Sequence, residues 1–119
     1  MGNKIRRFTD LRVWQKGVEL VKEIYGITKN FPKEELYGLS MQMRRAAVSI
    51  PSNIAEGFRR KYIKEYRQFL RVALGSCAEL ETQIIIAREL NYLNMDESKN
   101  LMASIDYICR MLFNLENKL

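Results

Sequence analysis

The sequence predicts an all-α fold: an antiparallel four-helix bundle running up, down, up and down, with its second helix kinked at Pro51. Three observations predict it. Apolar residues recur at spacings of three and four through four long segments, short polar or Pro/Gly breaks separate the segments, and no strand-like alternation, internal repeat or low-complexity tract intervenes. At 119 residues, with 47% apolar and 29% charged side chains, one domain spanning 1–119 can bury roughly two-thirds of its unfolded surface without staples.

Helix 1 is placed near 10–31. Thr9 and Asp10 offer N-caps, and Pro32 stops the helix because it has no N–H to continue the ladder. Two apolar stripes lie side by side on it: Leu11, Trp14, Val18, Val21 and Tyr25, then Val13, Leu20, Ile24, Ile27 and Phe31. Together they are wider than one core contact needs, which leaves a second face seeking a neighbour.

Helix 2, near 36–60, presents Met43, Ala46, Ala47, Ile50, Ile54 and Phe58 on its apolar face, with Pro51 inside it. A proline there removes one backbone bond and crowds the carbonyl four residues earlier. Ile50, Ile54 and Phe58 nevertheless keep helical spacing across it, which favours a kink over a restart. Ser49, Ser52 and Asn53 are placed to satisfy the freed backbone, Asn53 and Glu56 would form a capping pair if the helix restarted, and Gly57 permits close approach of a neighbouring helix.

Helix 3, near 63–92, carries Tyr66, Phe69, Ala73, Cys77, Leu80, Ile84 and Ala87 on one face. Helix 4, near 96–118, has the most regular pattern, with Leu101, Ile105, Ile108, Leu112, Leu115 and Leu119 forming the seam of a shallow-angle packing. The "LNYLNMDES" between them reads as a short reversal, with acids at the next helix start.

The residue inventory excludes several chemistries. There is no histidine, and the two cysteines, Cys77 and Cys109, lie far apart in sequence, so a zinc site and Cys-His or Ser-His catalysis are ruled out, and both cysteines read as small core residues. No metal, no cofactor and no enzymatic activity are expected. No window is apolar enough to span a membrane and the N-terminus lacks the apolar core of a secretory signal, which points to the cytoplasm without membrane contact.

The net charge of +6 favours an anionic partner, nucleic acid first. "RRKYIKEYRQFLR" supplies Arg59, Arg60 and Lys61 at a turn, then Lys64, Arg67 and Arg71 on one face of helix 3, with only Glu65 opposing them. Tyr62 and Tyr66 interleave with these cations, the ingredients of phosphate contact plus base stacking. Lys4, Arg6 and Arg7 extend the patch if the N-terminal arm folds back over it. A second set is polar: Arg44, Arg45, Ser49, Asn53 and Glu56 on helix 2, with Ser76 and Glu79 on helix 3. Such rows are either solvated surface or contacts between helices or subunits, where Arg44 or Arg45 paired with Glu56 or Glu79 would set register.

The motifs "VWQK", "FPKEELYGL", "QMRRAAVSIPSNIAEG" and "FLRVALGSCAELETQ", within residues 10–93, resemble the small four-helix bundle proteins encoded in intervening sequences of bacterial 23S rRNA genes. That family in turn resembles the accessory protein of diversity-generating retroelements, a basic bundle forming a pentameric ring that associates with nucleic acid and a reverse transcriptase. The resemblance implies a homo-oligomer, a pentamer, with nucleic acid as ligand and no catalytic residues. The expected function is thus a non-enzymatic oligomeric bundle that binds nucleic acid, RNA ahead of DNA. The competing expectation is an adaptor ring that holds another protein, such as a reverse transcriptase, with the charge steering an acidic partner.

Overall fold

Four α-helices carry the chain in the computed structural model, which describes residues 5–119. They are α1 (Arg12–Thr28), α2 (Leu39–Phe58), α3 (Ile63–Glu89) and α4 (Met95–Lys118), with single 3-10 turns at Phe8–Asp10 and Lys33–Glu35. No strand occurs among the described residues. α1 packs on α2, α2 on α3, α3 on α4, and α4 back on α1, while the diagonal pairs stay apart. The result is a helical bundle 49 Å long and 25 by 19 Å across.

α1, α2 and α3 are shorter than their apolar periodicity, for local reasons, while α4 begins one residue earlier than its own. α1 starts at Arg12 because Phe8–Asp10 first winds as a 3-10 turn, leaving Leu11 extended. It ends at Thr28, whose hydroxyl donates to the Ile24 carbonyl at 2.7 Å, and Pro32 holds the residue before it out of helix. α2 waits until Leu39, whose N–H is capped by Glu35 Oε1 at 3.0 Å. α3 stops at Glu89 in a Schellman turn: Asn91 takes a left-handed φ of 64°, and the Tyr92 N–H donates to the Ala87 carbonyl at 2.8 Å. α4 opens on a capping box, with Asn94 Oδ1 accepting from the Glu97 N–H at 2.7 Å and Glu97 Oε1 from the Asn94 N–H at 2.9 Å.

The core forms where the four apolar faces meet. Leu20 and Ile24 of α1, Met43, Ala47, Ile50 and Ile54 of α2, Leu70, Ala73, Cys77, Leu80 and Ile84 of α3, and Ile105 and Leu112 of α4 are completely buried. Burying a large aliphatic side chain contributes about 1.5–3 kcal/mol, so this layer dominates the favourable side of folding. Of the two stripes assigned to helix 1, the one through Val13, Leu20, Ile24 and Phe31 is buried, with Ile27 half-buried. Of the other, Leu11 is buried, Trp14, Val18 and Val21 are half-buried, and Tyr25 is exposed.

α2 passes through Pro51 as one continuous helix, so Asn53 and Glu56 cap nothing. The Asn53 side-chain amide donates to the Ser49 carbonyl at 2.8 Å and to Ser49 Oγ at 2.9 Å. Those bonds fall two residues beyond the Ala47 carbonyl, the group that loses its usual donor to the proline. Pro51 is buried against Gly17 of α1, where an added Cβ would lie 3.3 Å from the proline Cβ. Gly57 is more constrained still: a Cβ there would come 2.8 Å from Phe69 Cβ.

Candidate nucleic-acid interface

α2 turns into α3 at one end of the bundle, and the contacts around that turn gather cations from several parts of the chain. Phe8 sits 5.5 Å from the Trp14 ring and beneath the Arg59 guanidinium, at 5.3 Å, so the N-terminal segment carrying Arg6 and Arg7 lies beside the turn. Phe8, Ala55, Glu56, Arg59 and Arg60 line a shallow hollow there. The start of α1 meets the last turns of α4 around Arg12, Met111, Leu115 and Lys118. The same end therefore holds Arg6, Arg7, Arg12, Arg59, Arg60, Lys61, Lys64, Arg67, Arg71 and Lys118, against Asp10, Glu56, Glu65 and Glu116. Lys4 lies outside the described residues.

These cations are not equivalent. Arg71 is engaged: its Nε and Nη2 both reach Glu116 Oε2 at 2.9 Å, tying α3 to α4. Arg60 lies 4.7 Å over the Phe69 ring, with Glu56 Oε2 at 3.8 Å. Lys61 stands 5.7 Å over the Tyr62 ring. Among the described residues, Arg59, Lys61, Lys64 and Arg67 have no carboxylate within 4 Å. The two tyrosines also part company. Tyr62 is 59% exposed, whereas Tyr66 turns inward, edge-on to Phe58 at 6.2 Å, and burial pushes its phenol pKa up. Only Tyr62 offers an open face for stacking.

The polar set divides between two places. Ser49 and Ser76 hydrogen-bond across α2 and α3 at 2.7 Å, and Ser76 also donates to the Val72 carbonyl at 3.2 Å. Beside them Gln42, Arg45, Ser49 and Glu79 line a hollow of about 300 Å³. Gln83 donates to Glu79 Oε2 at 3.3 Å, and its own Oε1 is buried with no hydrogen-bond partner among the described residues. Arg44 pairs with neither Glu56 nor Glu79. Its Nε donates to Thr28 Oγ1 at 2.9 Å and its guanidinium covers the Tyr25 ring at 4.7 Å. Arg44 and Arg45 instead face an open groove of about 650 Å³ between α1 and α2, with Tyr25, Leu36, Tyr37, Met41, Val48 and Ser49.

Arg12, Lys118 and Phe8 were not singled out by sequence spacing. The expected alternation of helix directions is the signal that could have found them, since it would put the starts of helices 1 and 3 and the ends of helices 2 and 4 together. The groove had a weaker sign in the surplus apolar stripe of helix 1, which ends at Tyr25. Among the described residues no group of three or more His, Cys, Asp or Glu side chains is placed to hold a metal ion, and no helix is long and apolar enough to cross a membrane.

Comparison with curated proteins finds no match. Among solved structures, a protein of unknown function from the S23 ribosomal protein family of Bacteroides thetaiotaomicron superposes with a TM-score of 0.79 at 20% identity, over 87% of this chain and 97% of that one. At that identity the likeness speaks for the fold alone. A family model described as 23S rRNA-intervening sequence protein matches residues 9–114, nearly the whole of the four-helix unit. The chain belongs to the 23S rRNA-intervening sequence protein family.

Proposed function

We propose that this chain is a non-enzymatic, cytoplasmic, homo-oligomeric bundle that binds nucleic acid, RNA in preference to DNA, through its basic end. The observation that carries the reading is the polarisation of charge along the rod. Unpaired Arg59, Lys61, Lys64 and Arg67 share one end with the N-terminal Arg6 and Arg7, while the acids of the long chain segment 73–109 lie toward the other. Cations without carboxylate partners keep their full attraction for phosphate, and displacing counterions from the nucleic acid supplies the driving force. Tyr62 adds a single exposed ring for stacking a splayed base, which suits single-stranded RNA better than duplex DNA.

The helices are antiparallel neighbours in this reading. Gly17 facing Pro51, Thr28 facing Arg44, Ser49 facing Ser76, and Arg71 facing Glu116 all support opposed directions for consecutive helices. Pro51 bends α2, fitting its outer face for assembly. The subunits form a closed ring, pentameric by likeness to the retroelement accessory proteins, so that several modest basic ends act together and avidity supplies the affinity. Fluorescence polarisation of a labelled single-stranded RNA at 50 and 200 mM salt tests the binding. Steeply salt-dependent affinity is expected. No binding even at low salt would reject the nucleic-acid reading and favour an adaptor that holds a protein.

A further inference from the structure

α3 and α4 each bring a free thiol to their shared interface, and the nucleic-acid reading uses neither. Cys77 of α3 is completely buried in the core, and Cys109 of α4 is half-buried against it. The register of the two helices brings them level. With α3 and α4 opposed in direction, as proposed above, the Arg71 to Glu116 contact at 2.9 Å fixes one point of that register. From there Cys77 lies six residues along α3 and Cys109 seven residues back along α4. At ~1.5 Å per residue these are about 9 and about 10.5 Å, so the two stop within about 2 Å of the same height. Seven residues also return almost to the same side of a helix, so Cys109 stands on the α4 stripe that Glu116 turns toward α3.

The side chains complete what the register begins: the two thiols hydrogen-bond one another across the interface. That bond and then burial push the Cys77 thiol well above its ordinary value. The same bond holds Cys109 below its own, against the opposing effects of its burial and of Glu81 and Asp106. A buried cysteine by itself is a small core residue. Two thiols in contact, one from each helix, are a different matter, because whatever oxidises the accessible sulfur leaves it beside a second one that can capture it. An accessible thiol with raised thiolate character next to a resolving partner is the arrangement that oxidation selects.

We propose that Cys109 and Cys77 form a peroxide-sensitive pair, in which Cys109 takes the oxidation and Cys77 resolves it to a disulfide that staples α3 to α4. The Cys109 thiolate attacks one oxygen of hydrogen peroxide, the O–O bond breaks, and the departing hydroxide leaves as water, so that Cys109 becomes a sulfenic acid. The Cys77 sulfur then attacks the Cys109 sulfur, the S–O bond breaks, and the hydroxyl leaves as a second water with the Cys77 proton. Two thiols are oxidised and one peroxide is reduced to two waters. A dithiol reductant reverses the bond by exchange, and a reducing compartment keeps such a pair open until peroxide rises. The pair shares with the nucleic-acid reading only the opposed directions of α3 and α4.

Intact-mass spectrometry of the full chain after exposure to a modest excess of hydrogen peroxide tests this. The wild type should lose about 2 Da, yield a Cys77–Cys109 linked peptide on digestion, and regain both thiols with dithiothreitol. The oxidised chain should also melt several degrees higher, since the link closes a loop of about 30 residues in the unfolded state. Cys77→Ala should instead gain about 32 Da at Cys109, because an unresolved sulfenic acid runs on to the sulfinic. Cys109→Ala should keep Cys77 reduced through the same exposure, because Cys77 is buried. If Cys77→Ala loses helicity by circular dichroism, Cys109→Ala and the wild-type peptide map decide. A wild type that takes up oxygen at Cys109 while Cys77 stays a free thiol overturns the pairing. So does a disulfide between two chains through Cys109, and so do intact thiols after an exposure that oxidises free cysteine in the same tube.

Discussion

Arg71 separates the cations available to phosphate from those already occupied, and a paired substitution exploits the difference. Lys64, Arg67 and Arg71 share a face of α3, but only Arg71 is held, by two 2.9 Å contacts to Glu116. The Lys64→Ala, Arg67→Ala double variant therefore deletes two unpaired cations. For single-stranded RNA each phosphate contact contributes roughly 0.7 to the slope of log affinity against log salt, so two contacts flatten it by about 1.4. Between 50 and 200 mM salt, the wild type's advantage should then shrink by about sevenfold. Melting temperature should stay where it is, because these two side chains support nothing internal. Arg71→Ala should behave the opposite way. It breaks an ion pair whose carboxylate side chain is only 15% exposed, costing about 1 kcal/mol, or a few degrees in melting temperature, while the salt slope hardly moves. Fluorescence polarisation across a salt series, paired with thermal unfolding, reads both quantities. If Arg71→Ala flattened the slope as much as the double variant, or if the double variant changed nothing, the sorting of these cations by their partners would be wrong.

Three further outcomes follow from packing and titration. Gly57→Ala should destabilise the subunit by about 1–3 kcal/mol in denaturant unfolding, because its Cβ would press on Phe69 and Tyr66 at 2.8 and 3.0 Å. Gly17→Ala should cost about 1 kcal/mol in the wild type and less beside Pro51→Ala, a coupling that a double-mutant cycle measures, since the added methyl meets the proline ring at 3.3 Å. Tyr92 donates to Glu35 Oε2 at 2.9 Å, and that bond raises its phenol pKa. Its contribution should be fully present below the ordinary tyrosine pKa of about 10 and be lost as pH climbs through the raised value, so Tyr92→Phe should remove that alkaline loss from a stability-against-pH curve.

Much of the architecture was legible because helical periodicity is strong where the core is deep. The faces through Met43 to Ile54 on helix 2 and Leu101 to Leu112 on helix 4 were read residue by residue and are buried as read. Helix ends were less legible, because they are decided by single capping contacts or by turn chemistry. Glu35 capping Leu39 and the left-handed Asn91 are examples. The basic turn was legible as a run of charge, but its division was not. That Glu116 occupies Arg71 and that Tyr66 turns inward depend on which helices adjoin, a tertiary fact absent from local spacing. The roles of Arg44 and Arg45 were open for the same reason: Thr28 takes one, and the groove faces both.

The serine pair across α2 and α3 bears on how this bundle avoids its near neighbours in conformational space. The facing surfaces are lined with small groups, Ala46 and Ala47 on α2 and Ala73 on α3, and runs of small side chains look nearly alike after a shift of one helical turn, about 5.4 Å. Apolar burial alone would make such a slide cheap. The Ser49 to Ser76 bond does not survive it, and its loss costs about 0.5–1.5 kcal/mol, each hydroxyl keeping its partner within its own helix, the Asn53 amide for Ser49 and the Val72 carbonyl for Ser76. The pair thus works as a detent against axial sliding, fixing where along its length α3 stops against α2. With that stop set, the distance of the Lys64 and Arg67 turn from the α1–α2 groove becomes a constant of the subunit.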